Sequence, residues 1–408
     1  MSNVAGNSAV IQLASPPKPE PATRGFIRTA VADTVKRTSA RIGLAWIVTV
    51  VLAGVLAPVI ANSAPILARD AAGRYSCPML VSLDYADITL LVMFACVIAL
   101  YLFRRHVPPL AGVAAFAGIV IACFGATYHL YPEKQAVVYS QYREALRSGT
   151  LSWMLPTVIP YSPSDRLWDY PTGQQNLQPS WSHLFGTTAN AEDVLSRMLY
   201  ASRVAVAVGF VATGIAVAVG VIIGGLMGYF VGVVDIIGMR LIEIFEAIPT
   251  LYLIIMFVTF YPNGRNMFYI MAIIGATSWT GNARFIRAEF LHLRNQDFVQ
   301  AAIASGLRLP SILFRHMLPN GFTPVLISAS FGVASAILTE SYLSFLGLGV
   351  IDKPSWGQML DQARGQGTAF YWWMAVFPGG AIFLTVFAYN LIGEAVRDAL
   401  DPKLRERH

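Results

Sequence analysis

Charged residues are scarce in this chain of 408 residues, since Asp, Glu, Lys and Arg make up only 13% of it. An ordinary soluble domain carries about 25%. Hydrophobic residues make up 55%, and the mean hydropathy is +0.56. A soluble fold would have to bury several uncharged runs, each close to the ~20 residues that cross a bilayer as a helix. The composition therefore predicts an all-α polytopic membrane protein in contact with lipid.

Cysteine is also rare, and its positions exclude the common cysteine chemistries. Cys96 and Cys123 fall in apolar runs and Cys77 stands alone, so there is no CxxC spacing and no evident disulfide pair. The six histidines are scattered, which favours no metal site. No nucleophile is paired with a base, so we expect no catalytic residue.

A basic domain is missing as well, although the net charge is +6. The Lys and Arg residues lie at the ends of apolar runs, where they fix membrane orientation, so no nucleic-acid partner is expected. The phosphate-binding pattern G-x-x-x-x-G-K-[ST] does not occur. Any ATP chemistry linked to this chain must then reside on another subunit, and no cofactor is expected here.

The apolar runs predict about eight spanning helices. A disordered cytoplasmic tail (1–41) precedes the first transmembrane helix (42–64), a short extracytoplasmic loop (65–87) and a transmembrane hairpin (88–129). An extracytoplasmic loop or domain (130–199), a five-helix core (200–398) with an inner loop at 284–320, and a short cytoplasmic tail (399–408) follow. The expected spans are 42–60, 88–103, 109–128, 204–230, 236–260, 267–284, 322–348 and 371–392.

Basic residues cluster in the segments that would face the cytoplasm if the N-terminus is inside, among them the pair Arg104 and Arg105. The other side keeps fewer, mainly in the long loop, where the positive-inside rule has little force. Both termini are therefore predicted to be cytoplasmic.

Two intramembrane patterns suggest specific roles. Gly220, Gly224, Gly228 and Gly232 recur every four residues, so they form a smooth strip that favours close helix packing.

Ionisable residues within spans are candidates for a translocation path. Glu243 lies near Arg240 and is equally explained by an ion pair, and Glu246 lies one turn deeper. Glu340 stands between Thr339 and Ser341, where a structural hydrogen bond is about as plausible as a pore role.

The inner loop at 284–320 predicts two short helices. Asn295 or Asp297 would cap the first and Gly306 would end it, while Pro310 suits the start of the second and Pro319 its end. Ala301, Ala302 and Ser305 would present a surface of small side chains.

Within this loop, Gln300-Ala301-Ala302, Gly306 and Leu318-Pro319-Asn320 resemble the "EAA" loop with which permeases of binding-protein-dependent ABC importers dock onto their ATPase subunits. The family usually has Glu where this chain has Gln300. The stretches LTESYLSFLGLGV from Leu338 and EAVRDALDPK from Glu394 are similar to the dipeptide and oligopeptide permeases, and MRLIEIFEAIPTLYLII resembles the branch that includes the microcin C importer.

Two features depart from that branch. The hairpin at 88–129 is inserted between the first span and the outer loop. Gly186-Thr187-Thr188 and Ala191-Glu192-Asp193 replace Gly-Thr-Asp and Gly-Arg-Asp, which puts an outer contact of the family at this site in doubt.

The resemblance implies a type I ABC importer fold that moves peptides across the bacterial inner membrane by alternating access. It implies a second permease as heterodimer partner, cytoplasmic ABC ATPases that hold ATP and Mg²⁺, and an extracytoplasmic peptide-binding protein that could touch Trp153, Trp168 and Trp181. Two alternatives stay open: a nickel-type ABC permease, and a non-transporting scaffold or sensor with a permease-like core.

Overall fold

The structure is a computed structural model that describes residues 33–103, 109–130, 138–167, 169–170, 173–261, 265–351, 353–365 and 369–400. Several predictions lie outside these ranges. They are the tail up to residue 32, the turn at 104–106, Trp168, and residues 401–408.

Helices dominate the described residues, and the helical, multi-span fold predicted from composition is confirmed. The strands are β1 (Leu67–Asp70), β2 (Tyr75–Ser76) and β3 (Leu151–Leu155). The helices are α1 (Thr38–Ile60), α2 (Pro78–Ser82), α3 (Tyr85–Leu102), α4 (Pro109–Leu130), α5 (Gln141–Arg147), α6 (Val194–Phe230), α7 (Gly232–Ala247), α8 (Thr250–Phe260), α9 (Met267–Thr277), α10 (Trp279–Arg294), α11 (Asp297–Ala304), a π-helix (Ser311–Met317), α12 (Leu318–Asn320), α13 (Phe322–Phe345), α14 (Trp356–Gln362) and α15 (Trp372–Leu400).

Within the described residues, five helices are long and apolar enough to cross a membrane: α1, α3, α6, α13 and α15. Helices α7 and α8 meet the same criterion as a pair. Shorter apolar helices, Ala115–Thr127 within α4 and the whole of α9, lie at the two remaining predicted positions.

The fifth expected span, 236–260, is broken. Helix α7 ends at Ala247, and α8 begins three residues later at an angle of 76° to it. Between them, Ile248 is extended, with φ −92° and ψ 121°. The ring of Pro249 clashes with a helical conformation of the residue before it, which accounts for the break.

Helix α6 lies at the centre of the core, where it contacts α1, α9, α10 and α13. It begins ten residues before the expected span, because the Asp193 carboxylate accepts a hydrogen bond from the backbone N–H of Ser196 at 2.9 Å and caps the helix.

Glycines on α6 let α10 approach closely. A Cβ atom on Gly224 would lie 2.3 Å from the carbonyl oxygen of Ala283, and one on Gly228 would lie 2.7 Å from that of Arg287. Gly220 faces the same helix, 2.5 Å from the Cβ of Asn282.

Gly232 does not belong to this strip, contrary to expectation. No atom lies within 4 Å of a Cβ placed there, and its φ is +59°. Glycine at this position serves the turn between α6 and α7, because other residues adopt that backbone conformation only with strain.

A small sheet joins two stretches that are far apart in sequence. Strand β1 pairs antiparallel with β2, Ala68 opposite Ser76, and with β3, Leu67 opposite Leu155. The described parts of residues 61–83 and 138–193 thus form one unit, which we call the sheet domain. The hairpin of α3 and α4 leaves this unit after the first stretch and returns to it before the second.

A buried ion network holds the sheet domain together. Arg143 donates to the carboxylates of Asp165 at 2.7 Å and of Asp169 at 2.6 Å. Asp165 also accepts a hydrogen bond from the Ser63 hydroxyl at 2.6 Å, which links the two stretches. The hydrogen bonds from Arg143 lower the pKa of Asp169 despite its burial.

The altered motif at 186–193 makes internal contacts. The Glu192 carboxylate accepts hydrogen bonds from Arg197 at 2.6 Å and from the Thr188 hydroxyl at 3.2 Å, and the residue is 5% exposed. Glu192 therefore binds the start of α6 to the sheet domain.

A buried ion pair anchors the hairpin to the core. Asp84 and Asp87 form a capping box at the start of α3. Asp87 also accepts a hydrogen bond from the Arg203 guanidinium of α6 at 2.6 Å, and Arg203 donates in addition to the carbonyl oxygen of Gly54 on α1. One pair thus joins the hairpin to the two helices beside it.

Replacing Asp87 with alanine is expected to destabilise the protein by about 3–5 kcal/mol, because it leaves the Arg203 charge buried without its partner. The thermal midpoint of the purified protein in detergent should fall, and α3 should become sensitive to protease first. Asp361→Ala is the matched control, since the ion pair of Asp361 with Arg364 is exposed. Equal midpoints for the two variants would contradict the anchoring role.

Candidate functional site

The loop between α10 and α13 packs one face onto the core. Val299 and Ala302 of α11 and Ile312, Leu313 and Met317 of the π-helix are all buried. They form one apolar cluster with side chains of α10, α6 and α13, namely Phe290, Leu293, Val221 and Val325. The loop is therefore a packed part of the fold.

The other face of the loop is exposed and largely apolar. Small exposed residues occupy its centre, namely Ala301, Ala304, Ser305 and Gly306. Larger apolar side chains surround them, with exposed fractions from 37% to 49%: Phe298, Ile303, Leu307 and Phe314. We call the exposed residues among 298–314 the docking face. Shallow relief with apolar edges suits close contact with another protein surface.

Gly306 ends α11 in a Schellman motif. The N–H of Gly306 donates to the carbonyl of Ile303 at 2.9 Å, and the N–H of Leu307 donates to that of Ala302 at 3.3 Å. The φ of Gly306 is +70°, and no atom lies within 4 Å of a Cβ placed there. Glycine is therefore required here by the backbone conformation and not by close packing.

Side-chain amides brace both ends of the loop. Gln300 donates from Nε2 to the carbonyl oxygen of Arg294 at 2.8 Å, and Asn320 donates from Nδ2 to that of His316 at 2.6 Å. A glutamate at position 300 could not make the first bond, because a carboxylate has no proton to donate. Leu318 is half-buried and Pro319 is exposed.

The predicted caps of α11 differ from the structure. The N-cap is Gln296, without a side-chain cap, while Asn295 ends α10 and Asp297 is the first residue of α11. Pro319 does not stop the second helix. It lies inside α12, and the break comes at Gly321.

Helix α10 connects the docking face to the membrane core. Its Arg287 donates to both carboxylate oxygens of Asp235 on α7, from Nη2 to Oδ2 at 2.6 Å, and Arg284 pairs with Glu246 on α7. Because the glycine strip of α6 also packs against it, α10 is fixed to both α6 and α7. Helix α10 thus links the loop that carries the docking face to two core helices.

The structure does not bring the three candidate carboxylates together. Glu243 pairs with Arg240 on its own helix at 2.5 Å, and both side chains are largely exposed. Glu246 pairs with Arg284, while Glu340 is 2% exposed and accepts a hydrogen bond from Ser344 at 2.6 Å. No described hydrogen bond or ion pair joins any two of the three.

A polar cleft between α6, α10 and α13 escaped the sequence reasoning. Thr213, Asn282 and Ser328 line it together with apolar and small residues. Each sits singly on a different helix, so no spacing in the sequence connects them. Asp235 was missed for a similar reason, since its partner Arg287 lies 52 residues away.

The sequence is similar to a known protein family and to named transport proteins. Residues 220–406, which contain the end of α6 and all of α7 to α15, match the family described as "Binding-protein-dependent transport system inner membrane component". The oligopeptide transport system permease protein OppC of Haemophilus influenzae is 38% identical over 251 residues, which cover 61% of this chain and 79% of that protein. The chain belongs to this family of transport permeases.

Two further relatives align with the permease over similar lengths. The dipeptide transport system permease protein DppC of Bacillus subtilis is 38% identical over 234 residues, covering 57% of this chain and 72% of that protein. OppC of Escherichia coli K12 is 37% identical over 253 residues, with 62% and 82% covered. The docking face and the glycine strip lie within the region of the family match, and the hairpin of α3 and α4 lies before it.

Proposed function

We propose that the permease is the membrane subunit of an ATP-driven importer of peptides in the bacterial inner membrane, working by alternating access. The observation that carries the proposal is the docking face, an exposed apolar surface fixed to the core through α10. Its relatives are named as oligopeptide and dipeptide permeases, which supports peptides as the cargo.

The docking face meets a cytoplasmic ATPase subunit. Gln300, Ala301 and Gly306 shape the first half of the contact, and Leu318, Pro319 and Asn320 hold its far end. Ala302, expected on this surface, is buried and supports it from the core side. ATP and Mg²⁺ bind on the ATPase, because this sequence contains no G-x-x-x-x-G-K-[ST] loop. Closure of two ATPases moves α10, and α10 moves α6 and α7 as rigid bodies.

This assignment orients the whole permease. A docking face in the cytoplasm places both termini there and the sheet domain outside, in keeping with the positive-inside rule. On the sheet domain, Trp181 is 97% exposed and Trp153 is 45% exposed, so both are available to a peptide-binding protein. A second permease chain completes the path as a heterodimer partner.

Glu340 takes part in transport in this proposal, whereas Glu243 and Glu246 hold ion pairs near the C-terminal end of α7. A buried carboxylate within a span needs a partner or a function, and the described partners of Glu340 are the neutral hydroxyls of Ser344 and Ser355. Glu340→Gln keeps an oxygen that accepts from Ser344, so we expect normal accumulation and slower peptide uptake. Unchanged uptake kinetics would assign Glu340 a structural role.

The proposal is tested by recovering the assembly. The tagged permease is extracted in mild detergent, and the co-purifying proteins are identified by mass spectrometry, with a thiol cross-linker attached to Ala304→Cys on the docking face. Recovery of a second permease and of cross-linked ATPase subunits is expected. Repeated recovery of this chain alone would favour the scaffold or sensor alternative. Phe383→Cys on α15, an exposed position away from the docking face, is the control for the cross-link.

A further inference from the structure

A cleft of about 160 Å³ opens between the middle of α6, the junction of α9 and α10, and α13. It has room for a group the size of about five water molecules. Thr213, Ser278, Asn282, Ser328 and Ser335 give it polar walls, and none of the described residues that line it is charged.

The hydroxyl of Thr213 is the unusual feature of this cleft. Thr213 is 6% exposed, and its Oγ1 has no hydrogen-bond partner among the described residues. Helix α13 approaches Thr213 closely at Gly332, where a Cβ would lie 2.9 Å from Cγ2 of Thr213. A buried, unpaired hydroxyl is costly unless a ligand satisfies it for part of the time.

The break between α9 and α10 lies at the same cleft, which Ser278 and Gly281 line. Helix α10 begins after Ser278, whose side chain makes no capping hydrogen bond. The first N–H groups of a helix have no partner within it. Across the cleft, the Ser328 hydroxyl donates to the side-chain oxygen of Asn282 and holds α13 beside α10.

We propose that this cleft binds a neutral backbone amide of the transported peptide. The amide N–H donates to Oγ1 of Thr213, and the amide carbonyl accepts from a free N–H at the start of α10. A charged terminus is excluded, because the cleft offers it no counter-ion. The inference rests on the proposed function and adds to it a step that recognises the peptide backbone and ignores its side chains.

The test measures uptake by the intact transporter in cells that lack other peptide importers. The probes are tetraalanine and three tetraalanines, each methylated at one of the three peptide nitrogens. Thr213→Val removes the hydroxyl at almost constant volume, and Thr213→Ser keeps it. Thr339→Val is the matched control, since that hydroxyl already donates to the carbonyl of Ser335 in its own helix.

We expect Thr213→Val to lower the maximal uptake rate of tetraalanine about two- to tenfold, the effect of one neutral hydrogen bond. The half-saturating concentration should stay constant, Thr213→Ser should restore the rate, and Thr339→Val should not change it. For one methylated peptide, which lacks the N–H in question, Thr213→Val should have no further effect.

Equal rates for Thr213→Val and the wild type would overturn the inference. So would a loss that is the same for all four peptides and persists in Thr213→Ser, since that result means a structural role. Failure of the proposed function gives a different result, because the wild type would then take up none of the four peptides. That result would also reject the inference.

Discussion

Replacing Gly306 with valine is expected to reduce peptide uptake more than tenfold while the permease still inserts into the membrane. The φ of Gly306 is +70°. That conformation costs an L-residue about 1–2 kcal/mol, and a β-branched residue more. The end of α11 must then change its backbone, so the docking face loses its shape. Peptide-stimulated ATP hydrolysis by the reconstituted transporter measures the loss directly.

Gly149→Val is the control for backbone strain alone. Gly149 has a φ of +78° and no neighbour within 4 Å, but it lies in the sheet domain, far along the chain from the docking face. Its stimulated ATP hydrolysis per inserted transporter should stay near the wild-type value. Normal stimulated hydrolysis in Gly306→Val would reject the docking face as the coupling element.

Replacing Gly224 with alanine is expected to prevent stable accumulation of the permease. The added methyl group would lie 2.3 Å from the carbonyl oxygen of Ala283, and backbone atoms cannot yield as a flexible side chain does. Overpacking of this kind costs about 1–3 kcal/mol or more. Here it would force α6 and α10 apart along the whole strip, so the amount of monodisperse protein in detergent should fall severalfold.

Gly214→Ala makes the same chemical change on the same helix. No atom lies within 4 Å of a Cβ at position 214. This variant should accumulate as the wild type does, or slightly better, because alanine favours the helix by about 1 kcal/mol over glycine. If both variants accumulate equally, the close approach of α6 and α10 is not needed for folding.

The sequence predicted the features that depend on local chemistry. Apolar runs located the spans, because a lipid-crossing helix must be long and uncharged. Gly306 marked the end of α11, because few other residues adopt its conformation.

Features that depend on distant partners were not predicted. The pairing of Asp87 with Arg203 and of Asp235 with Arg287 joins residues that no periodicity connects. The 76° turn at Pro249 was missed for another reason. Apolar residues lie on both sides of the proline, so the mean hydropathy of 236–260 predicts a single span. The break between α9 and α10 at Ser278 contains no proline that would predict it. The polar cleft was not predicted for both reasons. It lies at the break between α9 and α10, and its residues come from helices far apart in the sequence.

The pairing of β1 with β3 sets an order of events during synthesis. Strand β1 leaves the ribosome before the hairpin, and its partner β3 follows about 80 residues later, so β1 must wait with an open edge while α3 and α4 insert. Closing the sheet then brings both ends of the hairpin together. If only one helix of the hairpin inserted, Leu67 and Leu155 would lie on opposite sides of the membrane, and the sheet domain could not form. The small sheet thus works as a check on topology, because it assembles only after correct insertion.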